Sequence, residues 1–493
     1  MEESLLKDKS DMDFTTSDSS SIDNSKEDIK FGLYHPFKTL MMLTPGPLVF
    51  AFSSTFQDFM DLFFIKKRFM EYGVSIIGMA AMIRFILLAM ASFMGSAITV
   101  RISALVAQKK FDEGGKLLVD TFKVMLCVDI IVPLLIFFFT KELLLFLGTV
   151  EENIKYCSQY LYPIMISMFF VTVFQVFCCA LLGEAKSNLC ALIQILSLFV
   201  SLFIADPLFI FVFKFPLWSL GFAYVSGPII CGIGLGFFYF SGKFSIKPKL
   251  STFLSPFSPE IITTLKLSLP SVVSIFSSVF PPMLMMSYTN AAANAIGKKR
   301  EVNVVISAMV KPYNLLASLS IGCFAGLAPA ASYSYAVNRY NRTKRLFLYS
   351  MIIPESLIIV FGLLMIMSPN TVMGIYFSDQ SSFEMSKLLV PTLYYTFFLT
   401  PISEACSSLL LATGHGALAI IPPASRSISM IIGSIVMYHF NKTSPQRVLN
   451  SFQFMDSGLF LGSVITGLVP LRKIWNSTPS DKGYSSTFEP LIE

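Results

Sequence analysis

Twelve apolar runs, each long enough to cross a bilayer, divide the chain between residues 39 and 471. They cover approximately 39–65, 74–106, 117–139, 157–182, 189–213, 217–240, 262–290, 302–329, 346–368, 388–412, 417–440 and 452–471. A helix needs about twenty predominantly apolar residues to span the hydrocarbon core. A transmembrane barrel would show short alternating segments instead, and these runs are continuous. Only 14% of the 493 residues are charged, where a soluble domain carries about a quarter. The sequence therefore predicts an all-α polytopic membrane protein with twelve transmembrane helices and the lipid bilayer as its surroundings.

Polar tails flank the runs at 1–38 and 474–493, and the first holds nine acids and five lysines. No short apolar stretch with a cleavage signature precedes the first run, so no cleaved signal peptide is expected. An even number of crossings puts both termini on one side. The clusters Lys109, Lys110, Lys116, then Lys243, Lys247, Lys249, then Arg339, Arg342, Lys344, Arg345 make that side the cytoplasm by the positive-inside rule. Lys66, Lys67, Arg68 and Lys298, Lys299, Arg300 weigh against it. Plasma membrane and endomembrane both remain open. The eight cysteines form no CxxC pair and there are three histidines, so buried small residues are expected rather than a metal or redox site. There is no P-loop and no GxSxG elbow, hence no motif for an ATP-driven pump, an enzyme or any catalytic residue. No cofactor, nucleic acid or second copy of the chain is called for.

The chain is doubled. FSSTFQDFMDLFF at 52–64 and FSSVFPPMLMM at 276–286 share the frame F-S-S-x-F at an offset of 224. AMIRFILLAMASFMG at 81–95 matches AMVKPYNLLASLSIG at 308–322, an offset of 227 that places Arg84 on Lys311. Pro163, Cys178, Leu181 and Leu182 fall on Pro391, Cys406, Leu409 and Leu410 at an offset of 228. Each repeat holds six helices, an even number, so the second copy re-enters in the same orientation. The expected organisation is a parallel internal repeat about an axis along the membrane normal, with a cleft between the halves. It gives a six-helix bundle at 39–242, a linker at 243–260 and a second six-helix bundle at 261–473. Two like-oriented bundles suit alternating access.

Acids inside the runs are the candidate functional groups, because a carboxylate near the bilayer centre costs about 2.5–3.5 kcal/mol on insertion scales. Desolvation disfavours the charged form and brings proton exchange toward physiological pH. The same group also binds Na⁺ or an organic cation, so carboxylates alone do not identify the coupling ion. Asp58 and Asp61 are three apart and share a helix face, although Asp61 could also pair with Lys66–Arg68 at the interface. Asp206 precedes Pro207, which frees a backbone carbonyl. Asp129 and Glu355 occupy near-equivalent places in the two repeats, as a functional pair or a packing feature, and Glu404 is a further acid in the tenth run. Arg84 and Lys311 are symmetric too; they line the cleft, pair with an acid, or snorkel to an interface.

Five stretches resemble one transporter family. MDLFFI at 60–65, LLGEAKSN at 181–188, ADPLFIF at 205–211, LWSLGFAY at 217–224 and APAASYSYAVNRYNRTKR at 328–345 resemble, in order, segments of the multidrug and toxic compound extrusion (MATE) family. The resemblance covers roughly 35–475. It implies an antiporter that expels organic cations or similar small xenobiotics in exchange for H⁺ or Na⁺. It also implies cation-binding carboxylates in the N-terminal bundle, at positions matching Asp61 and Asp206, with Gln175 where a fourth-helix Asn often contributes. Asp58 has no such match. The chain departs from the pattern at Leu202, where the family has an Asn. It departs again at Ser277, Ser278 and Val279, near the seventh-helix Glu of the eukaryotic branch, and at Ala336, where Gly is usual. Loss of a neutral oxygen ligand at Leu202 favours H⁺ over Na⁺.

Two other classes remain at this point. A flippase for lipid-linked oligosaccharides shares the wider superfamily fold and would need a basic cleft, for which Arg84, Lys311 and Arg426 are candidates. A non-transporting scaffold or receptor would make the intramembrane acids dispensable.

Overall fold

The structure, a computed structural model, describes residues 31–32, 34–146, 151–369 and 380–476. The first half runs α1 (Pro36–Leu43), α2 (Pro45–Ala91), α3 (Gly95–Ala107), α4 (Phe111–Phe138), α5 (Thr140–Phe146), α6 (Glu151–Ile166), α7 (Met168–Gly183), α8 (Ser187–Phe199) and α9 (Trp218–Phe240). The second runs α10 (Pro259–Ala295), α11 (Lys299–Ala336), α12 (Tyr340–Met367), α13 (Gln380–Leu389), α14 (Leu399–Ala412), α15 (Ile421–Phe440), α16 (Pro445–Leu449) and α17 (Ser451–Asn476). Among the described residues, nine helices are long and apolar enough to cross a membrane. A tenth crossing is α6 with α7, bent by 52° at Ser167.

Three of the twelve expected runs take an unexpected form among the described residues. Most of the first run and the start of the second lie in the continuous helical stretch α2, and the second run ends in α3. A straight helix would hold Gln57 and Arg84 about 40 Å apart at 1.5 Å per residue, yet both reach Tyr224. The chain therefore folds back within α2. The tenth run is not one helix: after α13 the chain tightens into a 3₁₀ turn at Val390–Leu393 before α14 begins. Pro391, which has no N–H to give to a helix, sits in that turn.

Buried apolar clusters show how the halves are built. One joins α3, α4, α7 and α9 through Ile98, Leu118, Phe174 and Leu235. A second joins α2, α6 and α9 through Ile83, Leu161 and Val225. A third lies wholly in the second half, around Met285, Met309, Phe397 and Met430. The fourth crosses between halves and packs Phe31, Leu40 and Ala185 against Phe324, Leu409 and Ile474. Outside, Phe138, Phe237, Met367 and Phe440 are exposed, as lipid-facing side chains should be.

Contact between the halves concentrates at the end that carries the start of α2. Ser103 Oγ donates to the Pro329 carbonyl at 2.6 Å and Ser332 Oγ to the Val100 carbonyl at 2.9 Å, tying α3 to α11. Gly322 lets the α2 backbone at Leu48 approach α11 so closely that a Cβ would collide with it, the role small residues play between membrane helices. The linker is clamped to the first half. Asp120 accepts from the Ser258 N–H at 2.7 Å, and Glu184 accepts from the Ser245 N–H at 3.2 Å. Arg101 forms an ion pair with Glu260. The stretch LLGEAKSN thus has a structural task at both ends, since Ser187 Oγ also donates to the Leu43 carbonyl and accepts from the Gly46 N–H.

Candidate functional site

Asp61 and Asp206 come from helices that start at the same end of the molecule. At 1.5 Å per residue, Asp61 lies about 24 Å along α2 and Asp206 about 28 Å beyond the start of α8. Both are buried, at 7% and 2% exposure, and their carboxyl groups are within hydrogen-bond reach of each other. Each acid therefore sits in the other's field, and desolvation strengthens that repulsion.

Local backbone geometry aims Asp206. After Phe199 the α8 chain widens into π-helical turns at Val200–Ala205 and again at Leu208–Val212, with Asp206 and Pro207 between them. The Asp206 N–H bonds the Ser201 carbonyl, five residues back. The sequence predicts a carbonyl freed by Pro207; the chain instead spreads the disturbance over two wide turns, a distortion frequent at functional sites.

Tyr224 on α9 organises the surroundings. Its carbonyl accepts from Gln57 Nε2 at 3.1 Å, one turn before Asp61, and from Ser201 Oγ at 3.3 Å. Ser201 Oγ in turn accepts from the Gly227 N–H at 3.1 Å. That approach needs glycine, because a Cβ at Gly227 would strike the Ser197 carbonyl. Arg84 lies 4.6 Å over the Tyr224 ring and donates to the Tyr160 hydroxyl at 2.8 Å. It is 5% exposed, so it does not snorkel to an interface; tyrosines hold it inside the first half.

The other predicted residues are dispersed. Gln175 is half-buried on α7, and its side chain makes no hydrogen bond with another described residue. Asp129 accepts from Thr172 at 2.9 Å, a polar contact between α4 and α7. Its repeat counterpart Glu355 is half-buried and has one buried carboxylate oxygen without a hydrogen-bond partner, so the two do not share a contact. Glu404 is half-buried on α14. The side chains of Asp58 and Lys311 lie outside the described residues. Leu202 and Ser277 are both fully buried.

Sequence reasoning passed over Gln57, Tyr160 and Tyr224, which carry no charge to mark them. It also passed over Asp456 on α17, which is 2% exposed and accepts from Thr396 Oγ1 at 2.9 Å. Asp456 stands near the start of its run, and the rule that marks other intramembrane acids applies to it equally. Among the described residues no group of three or more His, Cys, Asp or Glu is arranged to hold a metal. A cavity of about 220 Å³ lies between α1 and the start of α8, lined by Thr39, Leu43 and Lys186, apart from the acid pair.

Two packed halves of apolar helices define a polytopic membrane protein, and comparison with known proteins points to transporters. Residues 47–208 match the family model MatE. The fold superposes on a MOP superfamily transporter from Pyrococcus furiosus with a TM-score of 0.81 at 15% identity, covering 91% of this chain and 98% of the other. A MATE transporter in complex with MaL6 gives 0.79 at 16% identity over 91% and 98%. An outward-facing multidrug resistance MATE family transporter gives 0.78 at 15% identity over 94% and 99%. No curated protein matches the sequence. The chain is thus similar to the MatE family model over residues 47–208 and shares its fold with MATE and MOP superfamily transporters.

Proposed function

We propose that this transporter is an antiporter that exports organic cations or other small xenobiotics in exchange for H⁺, with Asp61 and Asp206 as the exchange site. The observation that carries the reading is the meeting of two buried carboxyl groups from different helices. Like charges at hydrogen-bond distance cannot both ionise cheaply, so the pair holds a proton between them. An organic cation neutralises the pair in the proton's place, and the two compete. Alternation follows if the protonated and cation-loaded pairs favour different arrangements of the halves, because a ligand shifts an equilibrium only by its differential affinity. Na⁺ is a poorer fit, since Leu202 offers no oxygen beside Asp206. Gln175, Asp58, Asp129, Glu355 and Glu404 are secondary to the pair. The protein works as a monomer with both termini in the cytoplasm.

The flippase reading needs a basic cleft. Arg84 is committed to two tyrosines and Arg426 lies near two acids, which leaves less positive charge for a pyrophosphate. The experiment is ethidium movement in proteoliposomes under an imposed pH gradient. Wild type should transport, and Asp206→Asn and Asp61→Asn should abolish gradient-driven movement while still inserting. Full transport by both variants would overturn the proposal; movement driven by Na⁺ alone would replace the ion.

A further inference from the structure

The second half holds a charged cluster that the exchange site does not use. Tyr313 from α11, Tyr394 and Thr396 from the turns before α14, Glu404 from α14, Arg426 from α15 and Asp456 from α17 form it. Ser425 Oγ donates to the Gly458 carbonyl at 2.8 Å, which sets the α15 turn carrying Arg426 against the α17 turn carrying Asp456, and the guanidinium acts electrostatically on Asp456, Glu404 and Tyr313. It nevertheless touches neither acid: its Nε is buried without a hydrogen-bond partner, and no ion pair joins it to an acid among the described residues.

Carboxylates beside tyrosine rings within the helix bundle form an environment that attracts a cation. Here one is already supplied by the chain. A guanidinium tethered by the chain cannot diffuse away, and a free cation approaching Asp456 meets a like charge in a low-dielectric interior. A duplicated chain would otherwise offer a cation site in each half. We infer that Arg426 is a specificity-determining residue, a tethered cation that reserves the Glu404 and Asp456 carboxylates and denies them to external cations. The inference rests on the exporter reading for its choice of probe alone.

The test is ethidium binding to the full-length protein in lipid nanodiscs. Wild type and Arg426→Lys should bind one ethidium each, whereas Arg426→Gln should bind a second. That second site should persist in Arg426→Gln/Asp206→Asn and disappear in Arg426→Gln/Asp456→Asn. A monodisperse Arg426→Gln with no added binding would overturn the inference, as would wild-type binding already lost in Asp456→Asn. If Arg426→Gln does not fold, Arg426→Met serves the same arm, and the Asp456→Asn measurement decides without either. Unchanged wild-type binding in Asp206→Asn would count against the exchange site while leaving a gain in Arg426→Gln in force.

Discussion

Arg84 donates a 2.8 Å hydrogen bond to the Tyr160 hydroxyl while its guanidinium lies 4.6 Å above the Tyr224 ring. A charge buried to this degree depends on such partners. Tyr160→Phe should lower stability by about 1.5–3 kcal/mol, the range for a hydrogen bond to a charged group. Arg84→Lys should also destabilise, since an ammonium cannot reproduce the planar stack. Chemical unfolding in detergent measures both, and an unchanged midpoint in either would remove Arg84 from its bracing role.

Thr396 is the donor seen on Asp456, at 2.9 Å. Thr396→Val keeps the shape and removes the hydroxyl, so it should cost about 1–3 kcal/mol. In an Asp456→Ala background the Thr396→Val change should be nearly neutral, because the two share one interaction. A double-mutant cycle with additive losses would contradict the pairing.

Glu184, fully buried just beyond α7, accepts from Lys186 Nζ at 2.7 Å and from the Ser245 N–H at 3.2 Å. Burial pushes its carboxyl above the usual 4.5, although Lys186, Ser245 and Tyr239 oppose the shift. The folded protein then holds this proton more tightly than the unfolded chain does. The stabilisation is fully present below the unfolded value and is lost as pH rises through the folded one. Wild type should therefore lose stability relative to Glu184→Gln as pH rises from 4.5. Parallel stability curves for the two proteins would show that the shift is absent.

The Ser103–Pro329 and Ser332–Val100 hydrogen bonds close the halves at one end. At about 1 kcal/mol each, losing both shifts an opening equilibrium by roughly 30-fold. Ser103→Ala/Ser332→Ala should therefore enlarge the long-distance population between spin labels placed at the exposed Gln108 and Asn338. An unchanged distance distribution would mean that these bonds do not hold the closed end.

Much of this was legible in the sequence, for a simple physical reason. Long apolar runs declare themselves by length, and Asp61 and Asp206 stand out because a carboxylate in such a run is costly. What was hidden depends on tertiary packing. The fold-back inside α2 was signalled by the polar break at 66–73 between the first two runs, but helical backbone continuing through that break was not. Pro391 falls within an otherwise apolar run and gave no warning that the tenth crossing would break. The wide turns around Asp206 relocate a defect that Pro207 alone suggested. Arg426 and Asp456 are thirty residues apart, and only the packing of α15 on α17 brings them near each other.

The central claim is that cation and proton compete for the Asp61–Asp206 pair. The most direct test is proton release into weakly buffered solution when ethidium binds the purified transporter, followed with a pH indicator. The account predicts release of about one proton per ethidium bound, as expected for two carboxyl groups sharing one proton, and no release from Asp206→Asn. Binding without proton release in wild type, or equal release from Asp206→Asn, would contradict it.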